Sequence, residues 1–248
     1  LPATGQLVGM AMIDWSQRQV EGSVRPCALL NTLKVHPDYR RRGIARRLAE
    51  WRIAATRGRF GDDAVLLADI QKGNVASERA AQHWSSQFVG QPHTVLMGMR
   101  RSPPRLPRGI SVRPARPEER GAIAEQQNRF YQNYNLYAPQ TADSFAAWLD
   151  HTPLHAPIHH LVVAVDAAGT LLAGAGISER ARLLALHVGR LPAAMKLVVR
   201  AMGLLPPSGV VDEVLVDQLW FAPGHLAAAQ ALWAWLRWDL RERGSVLR

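Results

Sequence analysis

The sequence predicts an α/β protein with a mixed central sheet and flanking helices, present as two tandem copies. Short alternating or β-branched apolar runs lie between amphipathic helical patterns, which is typical of proteins that combine strands and helices in one layered core. Each half contains a hairpin, then a strand that ends in an x-Pro turn, then a helix with one apolar face; the turns read VHPDYRRRG and FAPGHLAAA. Basic residues and prolines between the halves disfavour a regular element. We therefore predict a first domain over residues 1–99, a linker over 100–109 and a second domain over 110–248.

Apolar runs in the first half predict strands over residues 5–15, 27–35, 64–70 and 93–99. The polar residues 16–25 are interpreted as the connection between the first two strands. A helix follows the second strand, because apolar side chains recur there at three- or four-residue steps. These side chains are Ile44, Leu48, Trp51 and Ala55. A short helix is expected after the third strand, with Asn74 or Ser77 as its cap.

The second half begins with a short strand at ISVRP and a helix from about Pro117, whose first turn holds two glutamates. A hairpin turning at residues 167–169, a strand over 211–221 and a last helix over 225–243 follow. The basic and apolar segment 180–207 is an insertion, interpreted as a packed helical lid or an inter-domain contact, with a membrane-surface helix as the alternative. The first half lacks the opening strand and helix of the second, and the second stops where its next strand should begin. Both copies are therefore expected to be incomplete.

Composition narrows the choice of partners. The net charge is +10 and the isoelectric point is near 10.9, which favours a polyanionic partner such as nucleic acid, a phosphorylated cofactor or an acidic surface. The single cysteine, Cys27, excludes an intrachain disulfide and is expected to be a small buried hydrophobe in a reducing compartment. Charges interrupt the most apolar stretch before it reaches the length that a bilayer requires. These features predict a soluble, cytoplasmic protein.

The turn after the second predicted strand is suited to an anion. A helix that follows a strand directly leaves its first N–H groups without partners, and its dipole adds partial positive charge there. Gly43 allows close approach to the backbone, and Arg40, Arg41 and Arg42 supply charge-assisted donors. No Gly-Lys-Ser/Thr follows, which excludes a Walker loop, and the second and third glycines of a dinucleotide fingerprint are absent.

At these residues the sequence resembles the GNAT superfamily of acetyl-CoA-dependent N-acetyltransferases. The family's cofactor motif is a strand ending in Val-x-Pro, then Arg/Gln-x-x-Gly-x-Gly/Ala, then an apolar-faced helix. The matching residues are Val35, Pro37, Arg40, Gly43, Ala45 and Leu48. The resemblance implies that main-chain groups of Leu33, Lys34 and Val35 pair with the pantetheine arm of acetyl-CoA. It also implies that the pyrophosphate is held by the amides of Arg41, Arg42, Gly43, Ile44, Ala45 and Arg46.

A second family motif, an Asn followed three residues later by a small or polar residue, matches Asn74 and Ser77. Many members carry a tyrosine further along this helix that protonates the departing thiolate, and that position here is Ala81. His83 lies two residues on, more than half a helical turn away. In the second half the turn persists at Phe221 to Pro223, but the arginines and the required glycine do not. Only the first half is therefore expected to bind acetyl-CoA.

The resemblance implies acetyl transfer from acetyl-CoA to an amine of a small molecule or peptide, and it leaves the catalytic residues unknown. The alternatives are a non-catalytic acyl-CoA-binding or regulatory module and, with less support, a basic nucleic-acid-binding protein. A homo-oligomer is possible for each of these. The histidines of HTPLHAPIHH invite a metal site, but prolines disfavour the helix that would align them, so a polar loop and no metal are predicted. They are His151, His155, His159 and His160.

Overall fold

A computed structural model describes residues 5–90 and 94–248, and the chain divides into two compact units between residues 91 and 92. The first unit also includes residues 133–139, although the residues before and after them in the sequence belong to the second unit. This division lies before the predicted linker. Residues 97–98 pair with strand residues near the C-terminus, so backbone hydrogen bonding places them in the second unit.

The first unit is built on a long hairpin. Strands β1 (Gly9–Val20) and β2 (Ser23–Val35) are antiparallel, and β3 (Val65–Leu67) pairs with β2 in parallel. The prediction of a connection over residues 16–25 is wrong, because Ser16 pairs with Cys27 and Val20 with Ser23 across a turn at Glu21 and Gly22. Pairing needs only backbone groups, so polar side chains do not end the strands.

Helices α1 (Ile44–Phe60) and α2 (Val75–Ala81) complete this unit. The predicted apolar stripe of α1 holds only in part. Trp51 is 61% exposed, whereas Ala49, Arg52 and Thr56 are buried. Asn74 caps α2, since its Oδ1 accepts a hydrogen bond from the Ser77 N–H at 3.2 Å.

The second unit contains a six-stranded sheet in the order β4-β11-β10-β7-β6-β5. The strands of this sheet are β4 (Met97–Gly98), β5 (Ser111–Pro114), β6 (His159–Val165), β7 (Leu171–Ser178), β10 (Glu213–Phe221) and β11 (Val246–Leu247). A separate two-stranded ribbon consists of β8 (Leu186–His187) and β9 (Val210–Val211). The helices of the second unit are α3 (Arg120–Tyr131), α4 (Ala142–Asp150), α5 (Ala193–Ala201) and α6 (Leu226–Asp239). The hairpin, the long strand and the last helix lie where the sequence predicted them. The last strand, β11, runs parallel to β10.

Two apolar clusters hold the sheet. One joins α6 to the sheet through Leu232 and Leu236, and the other joins α3 and α4 through Ile123, Phe145 and Trp220. The predicted face of α6 holds for Leu236 and Leu240, which are buried, but not for Leu226, which is 54% exposed.

The histidine-rich stretch is only partly a loop. His159 and His160 open strand β6, contrary to the loop prediction, because their backbones pair with Ser178 and Ile177 of β7. Their side chains lie 2.9 Å from Ser178 Oγ and from Glu179 Oε1, respectively.

The insertion contains β8 and α5, and β8 pairs with β9 just after it. It packs through a small cluster around Leu205 and Val211, while Leu197 and Met202 remain exposed. No helix among the described residues is long and apolar enough to cross a membrane.

Candidate functional site

The turn between β2 and α1 presents unpaired backbone donors. Pro37–Tyr39 forms a single 3-10 turn, and Gly43 adopts the left-handed conformation at φ 73° immediately before α1. No side chain caps the helix, and its first internal hydrogen bond runs from the Arg47 N–H to the Gly43 carbonyl. The N–H groups of residues 44–46 therefore remain available to a ligand, at the positive end of the helix dipole.

These donors line a cavity of about 700 Å³, which we call the turn cavity. Nine of the predicted site residues contribute to its wall: Leu33, Val35, Arg40, Arg41, Gly43, Ile44, Ala45, Arg46 and Ser77. Tyr39, Arg79, His83 and Trp84 also line it, and sequence reasoning did not assign them to the cofactor site. A Cβ atom built on Gly43 would have no heavy atom within 4 Å, so space remains beside its backbone.

The other predicted residues take different positions. Lys34 and Asn74 line a neighbouring cavity, also of about 700 Å³, together with Arg40 and Ser77. Arg42 lines neither cavity; its guanidinium carbon lies 5.0 Å from the centre of the Tyr39 ring. This cation–π contact holds the charge near the turn without aiming it into the cavity.

Arginines on the wall of the turn cavity are held in place by contacts with neighbouring groups. Arg40 Nε donates to the Val35 carbonyl at 3.3 Å, which ties the turn to the end of β2. Arg46 Nε donates to Glu50 Oε1 at 2.7 Å, and this hydrogen bond raises the pKa of Arg46. Arg41 has φ 59° and also lines the turn cavity. The cavity therefore combines cationic side chains with main-chain donors, as a pyrophosphate requires.

A smaller cavity of about 250 Å³, which we call the inner cavity, adjoins the turn cavity. The two share wall residues, among them Leu33, Ala49 and Ser77. Ala81, at the family's tyrosine position, lines the inner cavity, whereas His83 lines the turn cavity. The carboxylates that line these two cavities are Glu50 and Asp69, neither of which the sequence analysis proposed as a base.

The corresponding turn of the second unit lacks the basic groups. Gly224 has φ 80° and His225 precedes α6 without a side-chain cap, so the backbone resembles that of the first turn. The sequence has no lysine or arginine from Phe221 to Leu236, however. An anion here would find the helix N-terminus but no charged partner.

Among the described residues, no group of three or more His, Cys, Asp or Glu side chains is arranged to hold a metal ion.

The parallel strand, glycine turn and uncapped helix of the first unit, together with its arginines, form an α/β arrangement whose donors suit an anion such as a phosphate group. Residues 1–84 match the model of the acetyltransferase (GNAT) family. This match covers the part of the chain that holds the turn cavity, and the chain as a whole has a GNAT-type α/β fold.

Solved structures support the same fold. The chain aligns over its full length with 58% of Saccharomyces cerevisiae N-myristoyltransferase with bound myristoyl-CoA, at 12% identity and a TM-score of 0.59. It also resembles a tandem GNAT protein from the clavulanic acid biosynthesis pathway, at 18% identity and a TM-score of 0.56, covering 99% of this chain and 70% of that one. A GCN5-related N-acetyltransferase from Kribbella flavida gives 16% identity and a TM-score of 0.52, with 98% and 50% covered. No curated protein gives a significant match.

Proposed function

We propose that the protein transfers an acyl group, acetyl in the simplest case, from acyl-CoA to an amine, and that its first unit alone binds the cofactor. The uncapped N-terminus of α1 inside a basic cavity carries this proposal. Its N–H groups would hold the pyrophosphate, with Arg41 and Arg46 nearby. The end of β2, at Leu33 to Val35, would pair with the pantetheine arm.

The chemistry requires direct attack on the thioester. The amine nitrogen forms a bond to the acyl carbon, the carbon–sulfur bond breaks, and the proton lost by the amine ends on the thiolate. In this proposal, strand amides near Leu33 would polarise the thioester carbonyl. Glu50, which lines the turn cavity, or Asp69, which lines the adjoining inner cavity, would accept the proton through water.

A double substitution tests the cofactor site. Arg40→Ala with Arg41→Ala removes two cations from the turn cavity, so we expect the affinity for CoA to fall by at least about tenfold. The matched control is Arg47→Ala, which removes an exposed arginine that does not line the turn cavity. Calorimetric titration with CoA and acetyl-CoA measures the effect. Unchanged affinity in a folded double variant would contradict the assignment.

A non-catalytic acyl-CoA-binding module is the second candidate, because Ala81 leaves the usual proton donor absent. Release of free CoA from acetyl-CoA, measured with a thiol reagent across a panel of amines, separates the two. Turnover that depends on the amine supports the transferase. Tight CoA binding without turnover on any amine supports the binding module.

A further inference from the structure

A buried arginine without an acidic partner lines the inner cavity. Arg52 is 2% exposed, and its Nη1 donates to the carbonyls of Met12 at 3.3 Å and Asn31 at 3.1 Å. Its Nε has no hydrogen-bond partner among the described residues. Burial lowers the pKa of Arg52, and no neighbouring carboxylate counteracts this.

The carbonyl contacts explain only part of this arrangement. They fasten α1 to the hairpin where the register of β1 and β2 shifts between Met10 and Met12. They use Nη1 and leave Nε unpaired. Because a buried unpaired cation is costly, an anionic ligand at Nε would relieve that cost.

The inner cavity lies where the end of an acyl-CoA would reach. It adjoins the turn cavity at Leu33 and Ala49, which line both. Arg52 comes eight residues after Ile44, or about 12 Å further along the axis of α1. The pantetheine arm of CoA is long enough to cover this distance from the helix N-terminus.

The walls of the inner cavity leave room beyond an acetyl group. Ala68, Ala80 and Ala81 contribute small side chains. Asn31 Oδ1 is buried there with no hydrogen-bond partner in the described part of the chain, and rotation of this amide by half a turn would offer its NH₂ group instead. Asp69 also lines the cavity, but it is exposed to solvent, which screens its charge.

We propose that the inner cavity is the acyl pocket of the donor and that it accepts a short acyl group ending in a carboxylate, such as succinyl, which Arg52 recognises. This inference rests on the proposed acyl-CoA site. The carboxylate would accept a hydrogen bond from the Arg52 guanidinium, which lines the inner cavity, and an acetyl group offers no charged acceptor. The transfer step is unchanged, because the bond broken is still that between the acyl carbon and sulfur.

Titration of the full chain with CoA, acetyl-CoA, butyryl-CoA and succinyl-CoA tests the inference. Butyryl-CoA controls for length without charge. We expect succinyl-CoA to bind at least about tenfold more tightly than butyryl-CoA, through a charge-assisted hydrogen bond. Equal or weaker binding of succinyl-CoA while CoA itself binds overturns this inference alone. Failure of CoA to bind overturns the proposed function and this inference together.

Two variants test the residue assignment. Arg52→Met is expected to remove the preference for succinyl-CoA over butyryl-CoA while CoA still binds; a preference that persists overturns the role of Arg52.

Since Arg52 also fastens the hairpin, Ala81→Leu provides a second test that leaves the arginine intact. It narrows the inner cavity and should lower the affinity for succinyl-CoA relative to CoA by at least about fivefold. An unchanged ratio would show that the acyl group lies elsewhere.

Discussion

At the scale of single residues, Arg113 and Glu119 form the best-defined ion pair of the second unit. Arg113 Nη1 and Nη2 donate to the two Glu119 carboxylate oxygens at 2.8 and 2.6 Å. The Arg116 N–H donates to the same carboxylate at 2.7 Å. The hydrogen bonds from Arg113 contribute most to lowering the pKa of Glu119 to about 2. The pair therefore joins β5 to the start of α3.

This pKa predicts a dependence of stability on pH. The folded pKa lies below the ordinary value, so the stabilisation is complete above about pH 4.5 and is lost as the pH falls towards 2. We expect Glu119→Gln to lower the free energy of unfolding by about 1–2 kcal/mol at pH 7. Denaturant unfolding of both proteins from pH 7 to pH 2.5 should show this difference shrinking with acidity.

Glu118→Gln is the control, because its side chain is exposed beside the pair. A Glu119→Gln protein as stable as the native one at pH 7 would contradict the interpretation.

At the scale of elements, β7 and β10 meet at a glycine. Gly174 pairs with Trp220, and a Cβ atom built on Gly174 would lie 2.7 Å from the indole nitrogen. Trp220 is fully buried in the cluster with α3 and α4. The indole therefore occupies the space that a side chain on β7 would need.

Gly174→Ala should therefore lower the free energy of unfolding by about 1–3 kcal/mol through overpacking. Gly121→Ala is a suitable comparison, since Gly121 lies in α3 with open space around it. That substitution should be neutral or stabilising by about 0.5 kcal/mol. Thermal or denaturant unfolding measures both, and equal stability of the two variants would exclude overpacking at Trp220.

The elements that the sequence predicts well are those with a clear apolar pattern, whether one face is buried or, as in β6 and β7, both are. The β6–β7 hairpin, β10 and α6 each carry a regular apolar pattern, so their type and order could be inferred. The long β1–β2 hairpin was truncated in prediction, because backbone pairing extends it through exposed polar residues. The turn residues of the candidate site were proposed from their motif, and most of them line the turn cavity. The burial of Arg52 could not be predicted from the sequence, because an arginine in a basic helix is expected to face solvent. Only its contacts in the folded unit show that it is buried.

At the scale of the whole molecule, the division into two units predicts a local response to the cofactor. The turn before α1 carries arginines and the corresponding turn before α6 carries none, so CoA should stabilise the first unit alone by mass action. Hydrogen exchange followed by mass spectrometry should show slower exchange in peptides from residues 33–60 and 74–84. Peptides from residues 221–236 should be unchanged. Equal protection at both turns would contradict binding by the first unit only.

The position of the one cysteine has a practical consequence at this scale. Cys27 is 0% exposed on the central strand of the first unit, between β1 and β3, and burial raises the pKa of its thiol. A thiol reagent can reach it only when β2 separates from its neighbours. Because the sequence has no other sulfhydryl group, the rate of its modification measures how often the first unit opens, with no contribution from the second. Cys27 can therefore serve as a built-in chemical probe of local unfolding in the unit that is proposed to bind the cofactor.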